Sequence, residues 1–304
     1  MALGPNPKIP VHGWLALDKP IGLTSTQALG KARRFMGGKK VGHGGTLDPL
    51  ATGILPLAFG EATKLIPYVM DGDKEYEFTV LWGEARDTDD AEGKVTAQSD
   101  KRPGAEEIRA ALPAFTGSIQ QTPPSFSAIK VAGERAYDLA RGGKPPELAP
   151  RPVQIHSIEL LTMPDADHAT FRAACGKGMY VRSLARDLAV RLGTYGHVNQ
   201  LRRTRVGPFR LDRAISLEKL EELSHKGAAL TALLALKAAL DDIPALNLTA
   251  SEAQRLRAGQ SILIRPQHEE LMKTGTILAL FQDVPVAMVE VKAGEFRVVR
   301  GFHF

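Results

Sequence analysis

Alternating polar and apolar positions predict several β-strands in this chain. The segment KEYEFTVLWG, residues 74–83, places four large side chains on one face of a strand: Tyr76, Phe78, Val80 and Trp82. This period of two is typical of a strand with one buried face. The same reasoning predicts strands in three further segments: 125–131, 153–162 and 168–175. The turn sequence PDAD joins the last two, so we expect a mixed, mainly antiparallel sheet.

Helical spacing predicts three long α-helices in the first 242 residues. The first begins at a capping box formed by Thr24 and Gln27 and ends at Gly37. The second covers residues 179–193, and its apolar face does not include Arg182. The third is the alanine-rich segment GAALTALLALKAALDD, residues 227–242, which we expect to close the large domain.

The pattern changes after residue 242. Thr249 and Glu252 form a second capping box before a short helix, and short apolar strands follow it, with a hairpin turn at Ala293 and Gly294. We therefore predict a protein of the α/β (α+β) class with two domains. A large domain covers residues 1–242, and a small β-rich domain covers residues 243–304.

Composition narrows the class of protein. The 304 residues are 43% hydrophobic and 24% charged, which is enough to bury a core. Cys175 is the single cysteine, which excludes an intramolecular disulfide, and the eight histidines are too scattered to indicate a metal site. The sequence contains no apolar run of about 18 residues, so we expect no membrane span and a cytoplasmic location.

Positive charge is concentrated in three clusters. The formal net charge is +5, and the clusters cover residues 31–40, 135–152 and 202–210. Any one of them alone is equally well explained as a solvated helix face, whereas all three together favour a polyanion such as nucleic acid. Residues 132–152 combine a short helix with a Gly- and Pro-rich basic tail, and this composition predicts a mobile basic arm over the surface.

A glycine-rich stretch surrounds one carboxylate. The segment KKVGHGGTLDPLATGILPLAFGEATK, residues 39–64, holds Asp48 and no other acidic residue before Glu61. The chain has no G-x-S-x-G nucleophile elbow and no phosphate-binding P-loop, and position 47 is leucine where a dinucleotide fingerprint needs glycine. The remaining interpretation is a lone aspartate that acts as nucleophile or base, on a loop whose glycines allow a substrate to approach closely.

Five segments in order resemble the bacterial TruB family of tRNA pseudouridine synthases. They are GWLALDKPIGLTS, the stretch around Asp48, KEYEFTVLWGEARDTDDAEG, PPSFSAIKVAGERAYDLAR and GMYVRSLARDLAVRLG with NQLRRTRVGPF, between residues 13 and 209. The resemblance implies a pseudouridine synthase catalytic domain, and residues 243–304 look like the short PUA-type RNA-binding domain of such enzymes. Met179 stands where the family commonly has threonine, and Arg86 also replaces a more usual threonine.

The resemblance implies roles for six residues: Asp48, Arg182, His43, Tyr76, Tyr180 and Leu201. Asp48 is the essential catalytic group with Arg182 as its ionic partner. His43 fills the gap left by the everted base, Tyr76 stacks on that base, and Tyr180 and Leu201 line its pocket. Without the resemblance, each of these residues also has an ordinary structural explanation. Tyr76, Tyr180 and Leu201 could be core side chains, His43 could be an ordinary loop residue, and Arg182 could be an arginine on a helix surface.

The implied activity is isomerisation of the T-loop uridine at tRNA position 55 to pseudouridine. No atom enters or leaves in this reaction, so no cofactor is implied. The sequence does not distinguish attack of Asp48 on C6, its addition to C1′, and removal of the C2′ proton. The implied partner is the tRNA T-arm, bound by a monomer without a protein partner. The alternative is an RNA-binding, tRNA-folding chaperone on the same scaffold, with weak or absent catalysis.

Overall fold

The computed structural model describes residues 10–127, 129–131, 133–143, 146–240 and 243–304. Within these ranges the strands are, in chain order, β1 Gly13–Lys19, β2 Val41–His43, β3 Ala51–Phe59, β4 Lys74–Trp82, β5 Glu84–Arg86, β6 Val95–Gln98, β7 Gly117–Gln121, β8 Lys130–Val131, β9 Glu134–Arg135, β10 Arg151–Thr162, β11 His168–Cys175, β12 Gly196–Val206, β13 Phe209–Arg210, β14 Ile215–Ser216, β15 Ala245–Asn247, β16 Ile262–Leu263, β17 Thr276–Phe281, β18 Val284–Lys292 and β19 Glu295–Gly301. The α-helices are α1 Ser25–Met36, α2 Ile66–Asp71, α3 Ala105–Ala111, α4 Ala136–Arg141, α5 Val181–Arg191, α6 Leu217–His225 and α7 Ala250–Arg257.

The large sheet has the strand order β14-β1-β3-β12-β4-β11-β10-β7, with β2 paired to β3 and β13 paired to β12. Only the β1–β14 and β12–β3 pairs among these are parallel, so the predicted mixed and mainly antiparallel sheet is confirmed. Strands β4, β10 and β11 lie where the alternating pattern predicted them. The parallel β12–β3 pair brings the chain around residue 203 next to the loop that precedes β3.

The main core lies between the large sheet and two helices that the sequence predicted, α1 and α5. Thr24 and Gln27 form the predicted capping box, and α1 ends at Gly37, whose φ of 69° is a left-handed conformation that glycine adopts without strain. Aromatic side chains fill the centre, and Phe78 of β4 stacks on Phe171 of β11 with ring centroids 5.4 Å apart. This packing fixes the N-terminal end of α5 beside the sheet.

Two predictions for the large domain are wrong. Residues 227–242 do not form one α-helix. Within the described residues they form the short 3-10 turns Ala229–Ala232 and Leu236–Ala239, and residues 241 and 242 lie outside the description. The backbone of Leu234 instead exchanges hydrogen bonds of 2.7 and 2.9 Å with Trp14, which a continuous helix would forbid. The strand predicted at 125–131 is reduced to β8, with residue 128 outside the description.

The region predicted as a basic arm contains α4 and the β8–β9 hairpin. Residues 132, 144 and 145 of the predicted arm lie outside the described part of the chain, and its mobility stays a prediction. At the end of α4 the guanidinium of Arg141 lies 4.6 Å from the ring centroid of Tyr137. Tyr137 in turn packs edge-on against Phe126. These contacts place α4 beside the segment that follows β7.

A second sheet with the order β15-β17-β18-β19-β16 follows. Its helix α7 begins at the predicted capping box of Thr249 and Glu252, and Ala293 and Gly294 have the positive φ values of a hairpin turn. Met288 and Phe302 of this part share a buried cluster with Trp14 of β1. The boundary at residue 242 stays a prediction. In the ranges given above, every helix is too short or too polar to cross a lipid bilayer.

Candidate active site

Asp48 lies on a loop between β2 and β3 whose neighbouring residues are fixed on both sides. The buried hydroxyl of Ser25 in α1 accepts a 2.8 Å hydrogen bond from the Leu47 amide and donates to the Leu47 carbonyl. The Pro49 carbonyl accepts hydrogen bonds from the amide of Gly22 at 2.8 Å and from Lys19 Nζ at 3.5 Å. The main chain therefore holds Asp48 in place, while 39% of its side chain stays exposed. Lys19, at the end of β1, therefore supports this loop.

Arg203 of β12 anchors the same loop from the other direction. It is 2% exposed, and its Nε donates to the carbonyl of Ile54 at 2.8 Å. Its two terminal nitrogens donate to the carbonyls of Thr46 and Gly45 at 3.2 and 3.1 Å. A β-carbon on Gly53 would lie 2.2 Å from the Arg203 carbonyl oxygen, so only glycine permits this approach of β3 to β12.

Arg182 approaches Asp48 from the first turn of α5. Its Nη2 lies 3.0 Å from Asp48 Oδ2, and its Nη1 lies 3.6 Å from Asp90 Oδ2. The guanidinium also donates to the carbonyls of Thr88 and Phe126, both at 2.9 Å. The side chain is 6% exposed, although the apolar pattern placed it away from the inward face. Two carbonyl acceptors and two carboxylates thus fix one planar group, which orients the Asp48 carboxylate.

A second arginine of α5 extends this network. Arg186 Nη1 lies 2.8 Å from Asp89 Oδ2, and its Nε lies 2.9 Å from Asp187 Oδ1. Asp89 has φ of 60° and its burial raises the pKa of its carboxyl to about 6 against the pull of Arg186 and Arg182. We call the set Asp48, Asp89, Asp90, Arg182 and Arg186 the arginine–carboxylate network. It ties the loop after β5 to α5.

Asp48 lines a cavity of about 540 Å³. The cavity is lined by Gly45, Thr46, Leu47, Asp48, Met70, Lys74, Tyr76, Phe126, Ser127, Tyr137, Gly176, Gly178, Met179, Tyr180, Val181, Arg182, Leu201 and Arg203. Five of the six residues singled out from the sequence therefore meet at one place. Met179, which replaces the family's usual threonine, contributes an apolar wall.

Two tyrosines give the cavity flat surfaces. Tyr76 of β4 is half-buried, and burial raises the pKa of its phenol, so the group stays neutral in the physiological range. Tyr180 immediately precedes α5, and the side-chain amide of Gln121 bonds its backbone twice, to the amide at 2.8 Å and the carbonyl at 3.2 Å. The Arg151 guanidinium lies 5.2 Å from the Tyr180 ring centroid. Leu201 is 9% exposed and also borders the cavity.

His43 is the one predicted site residue outside the cavity lining. It ends β2 opposite Leu57 and is half-buried. Burial and the nearby Arg203 lower the pKa of its imidazole, so the ring is neutral near pH 7. Its predicted role in filling a gap in RNA stays a prediction.

Sequence reasoning missed Arg203, Asp90 and Gln121 as parts of this site. Arg203 was visible only as one charge of the cluster at residues 202–210. Asp90 stood in an acidic turn, and nothing in its neighbours indicated that it is 3% exposed. In the part of the chain that the structure describes, no three His, Cys, Asp or Glu side chains are grouped closely enough to hold a metal ion.

Comparison with known proteins agrees with this geometry. Residues 33–181 match the sequence model of the TruB family pseudouridylate synthase N-terminal domain, and residues 182–243 match the tRNA pseudouridylate synthase B C-terminal domain. The chain belongs to the TruB family. Both partners of the central ion pair lie in matched residues, Asp48 in the first range and Arg182 in the second.

Curated relatives and solved structures extend the match over nearly the whole chain. The tRNA pseudouridine synthase B of Bradyrhizobium diazoefficiens is 55% identical, with 96% of this chain and 86% of the relative covered. That of Caulobacter vibrioides is 53% identical, with 96% of each chain covered. A chain in the crystal structure of a Cbf5-Nop10-Gar1 complex has a TM-score of 0.74 at 23% identity, over 96% of this chain and 85% of that one. At that identity the likeness concerns the fold alone.

Proposed function

We propose that this protein is a tRNA pseudouridine synthase that isomerises the T-loop uridine at tRNA position 55, with Asp48 as its essential group. The observation that carries the proposal is the Asp48 carboxylate, held 3.0 Å from Arg182 at the edge of a cavity large enough for a nucleoside. The names of the curated relatives support the substrate class.

The reaction breaks the bond between ribose C1′ and uracil N1, turns the base over, and joins C5 to C1′. C5 then loses a proton and N1 gains one, so the atoms balance without a cofactor. Asp48 attacks C6, adds to C1′ or removes the C2′ proton, and each route requires an ionised carboxylate. Arg182 holds the Asp48 carboxylate from 3.0 Å away and aims it into the cavity.

The other cavity residues receive the everted base. Turning a base out of a folded loop costs a few kcal/mol. Stacking on an aromatic ring returns about 1 to 3 kcal/mol per base, and Tyr76 supplies that ring. Leu201 lies beneath the base, Tyr180 forms the adjacent wall, and His43 occupies the gap that the base leaves in the T-loop.

The remaining parts of the proposal concern RNA binding. The protein acts as a monomer on the T-arm, without a protein partner, in the cytoplasm where its tRNA substrate resides. Residues 1–242 form the catalytic domain, with a basic arm at about 132–152, and residues 243–304 form a PUA-like RNA-binding domain. An RNA-folding protein without catalysis is not favoured, because a carboxylate at the binding cavity repels phosphate.

The decisive experiment compares the unaltered protein with Asp48→Asn on an unmodified tRNA transcript. Carbodiimide mapping by primer extension should show a block at the T-loop uridine with the unaltered protein and none with Asp48→Asn. Asp165→Asn is the matched control, because Asp165 lies in the turn between β10 and β11 and does not line the cavity. Equal blocks with Asp48→Asn and the unaltered protein would reject the proposal.

A further inference from the structure

Three buried cations near Asp48 donate hydrogen bonds to backbone carbonyls rather than pair with carboxylates. Lys19, Lys74 and Arg203 are 0%, 8% and 2% exposed. Among the residues that the structure describes, none of the three lies within ion-pair distance of an acidic side chain. Lys74 Nζ donates to the carbonyls of Met70 and Gly72. A buried cation without a counter-ion is costly, so such groups call for a reason.

Two of these cations, Lys74 and Arg203, line the cavity that Asp48 faces. We call them the carbonyl-bonded cations. Asp48 is the single carboxylate in that lining, and Arg182 and Asp90 already accompany it. The cavity is therefore polarised. On the wall that holds Asp48, the carboxylates are paired with Arg182. On the wall that holds the carbonyl-bonded cations, the positive charges have no carboxylate partner among the residues described, so positive charge is in excess there.

Both carbonyl-bonded cations retain free hydrogen-bond donors. An ammonium group has three N–H bonds, and the two carbonyls of Lys74 use two of them. A guanidinium has five. The three carbonyls around Arg203 use three, and the neighbouring Tyr76 phenol takes at most one more, so at least one stays available among the described residues. Burial and the charge of Arg203 lower the pKa of Lys74, and Asp71 and Asp73 only partly oppose this. An anionic neighbour would relieve that mutual repulsion.

The proposed reaction supplies such an anion. When the C1′–N1 bond breaks, its electron pair stays with the uracil and spreads over the O2 and O4 carbonyls. If Asp48 first attacks C6, negative charge likewise gathers on the O4 carbonyl. We propose that Lys74 and Arg203 stabilise the negative charge that the uracil ring acquires while it reacts. The inference rests on the proposed function and adds an electrostatic role to the side of the cavity away from the ion pair.

A purely structural role makes a different prediction. Lys74 binds carbonyls at the C-terminal end of α2, a position where a cation stabilises a helix end. If that is its whole role, replacing Lys74 slows every substrate equally. If it stabilises a departing anion, the loss depends on how well the base itself carries negative charge.

The test uses T-arm hairpins with uridine or 5-fluorouridine at the target position. Fluorine withdraws electrons, so the fluorinated base leaves as a more stable anion and needs less help from the protein. We expect Lys74→Met to slow loss of the starting uridine about 100-fold in single turnovers, and loss of 5-fluorouridine about tenfold or less. Loss of the starting nucleoside requires only cleavage of C1′–N1, so the blocked C5 does not obscure it.

Controls separate charge from folding. Lys74→Arg keeps the cation and should restore most of the uridine rate. Lys101→Met should change neither rate, because Lys101 bonds the Leu192 carbonyl and Glu107 away from the cavity. If Lys74→Met does not fold, Lys74→Gln carries the same test, because its amide can still donate to one carbonyl.

The outcomes are distinct for the two proposals. A larger loss for uridine than for 5-fluorouridine supports the anion role. Equal losses, or no loss, would overturn it and leave Lys74 a structural residue. Failure of the unaltered protein to form pseudouridine in the uridine hairpin would refute the proposed function, and the anion role with it.

Discussion

Two buried arginines line the same cavity and differ in what they bond. Arg182 contacts two carboxylates, Asp48 and Asp90, whereas Arg203 donates to the carbonyls of Gly45, Thr46 and Ile54 and lies beside the Tyr76 phenol, without a carboxylate at ion-pair distance among the described residues. Both are less than one-tenth exposed, so burial alone does not separate them. Their bonded partners distinguish them, because a carboxylate is a charged group on a side chain that can move, whereas a carbonyl is an uncharged group fixed in the main chain.

Because their partners differ, we expect the two arginines to contribute differently to the rate and to the stability of the protein. Arg182 acts on a side chain that has to meet the substrate, so its loss should appear first in the rate. Arg203 ties together the Asp48 loop and β3, so its loss should appear first in the free energy of unfolding. Removing one partner of a buried charged pair typically costs a protein about 3 to 5 kcal/mol of stability. An effect of that size is measurable in the rate or in the free energy of unfolding.

Among the changes that test this comparison, Arg182→Met should have the largest effect. This change removes the group that orients Asp48, and we expect single-turnover pseudouridine formation to fall about 10²- to 10³-fold. The Kd for tRNA should stay within about threefold, because Arg182 is buried beside the cavity rather than on the RNA-facing surface. Rapid-quench measurement of the rate and filter binding of labelled tRNA check both quantities.

Arg182→Lys separates charge from geometry in the same assay. Lysine keeps a cation near Asp48 but has no planar fork to reach the carbonyls of Thr88 and Phe126 as well. We expect its rate to lie well below that of the unaltered protein. A rate equal to the unaltered one would show that charge alone suffices, and the proposed division between the two arginines would fail.

Arg203→Gln should act strongly on stability, in addition to the loss of rate that its proposed role toward the uracil charge predicts. Three hydrogen bonds from a charged group are each worth about 1.5 to 3 kcal/mol, and glutamine can replace only part of them. We expect the free energy of unfolding, from urea titration, to fall by about 3 kcal/mol. The neighbouring Arg202 is the control, since its side chain is 39% exposed and pairs with Asp18. Arg202→Gln should cost less than about 1 kcal/mol, and equal losses would contradict the comparison.

Asp90→Asn tests whether the more distant carboxylate contributes to the network. Asp90 Oδ2 lies 3.6 Å from Arg182, and an amide would turn either an uncharged oxygen or a repelling N–H group toward the guanidinium. We expect roughly a tenfold slower rate, which corresponds to about 1.4 kcal/mol. Asp87→Asn is the control, because Asp87 is exposed and its side chain accepts a hydrogen bond from the Lys94 amide rather than pairing with Arg182. A rate unchanged by Asp90→Asn would confine the network to Asp48 and Arg182.

Local patterns predicted the elements whose hydrogen bonds are local or strictly periodic. The capping box at Thr24, the alternation in β4 and the hairpin turn at Gly294 all lie where the sequence indicated. The prediction of a helix over residues 227–242 was wrong because the hydrogen bonds of that segment are not local. Leu234 bonds Trp14 on a distant strand, and periodicity within the segment contains no information about that partner.

The site shows the same limit. Asp48 and Arg182 were found through motifs, whereas Arg203 and Asp90 read as surface charges. Their burial arises when β12 pairs with β3 and when the loop after β5 reaches α5, contacts between residues far apart in the chain. A charge is recognised as buried only once its neighbours in space are known, and composition gives no such information.

The smallest effect concerns Asp89, whose carboxyl lies in the arginine–carboxylate network beside Arg186, Arg182 and Asp187. Burial raises its pKa to about 6, above the ordinary 3.8, so the folded protein holds this proton more tightly than the unfolded chain does. This contribution to stability is full below the ordinary pKa and is lost as pH rises through about 6.

The variant Asp89→Asn tests this pH dependence, because asparagine tolerates the positive φ of Asp89 and does not titrate. Between pH 7 and pH 5, urea unfolding of the unaltered protein should gain about 1 kcal/mol relative to Asp89→Asn. Parallel pH profiles would show that Arg186 fully offsets the burial of Asp89, which would make this end of the network an ordinary ion pair.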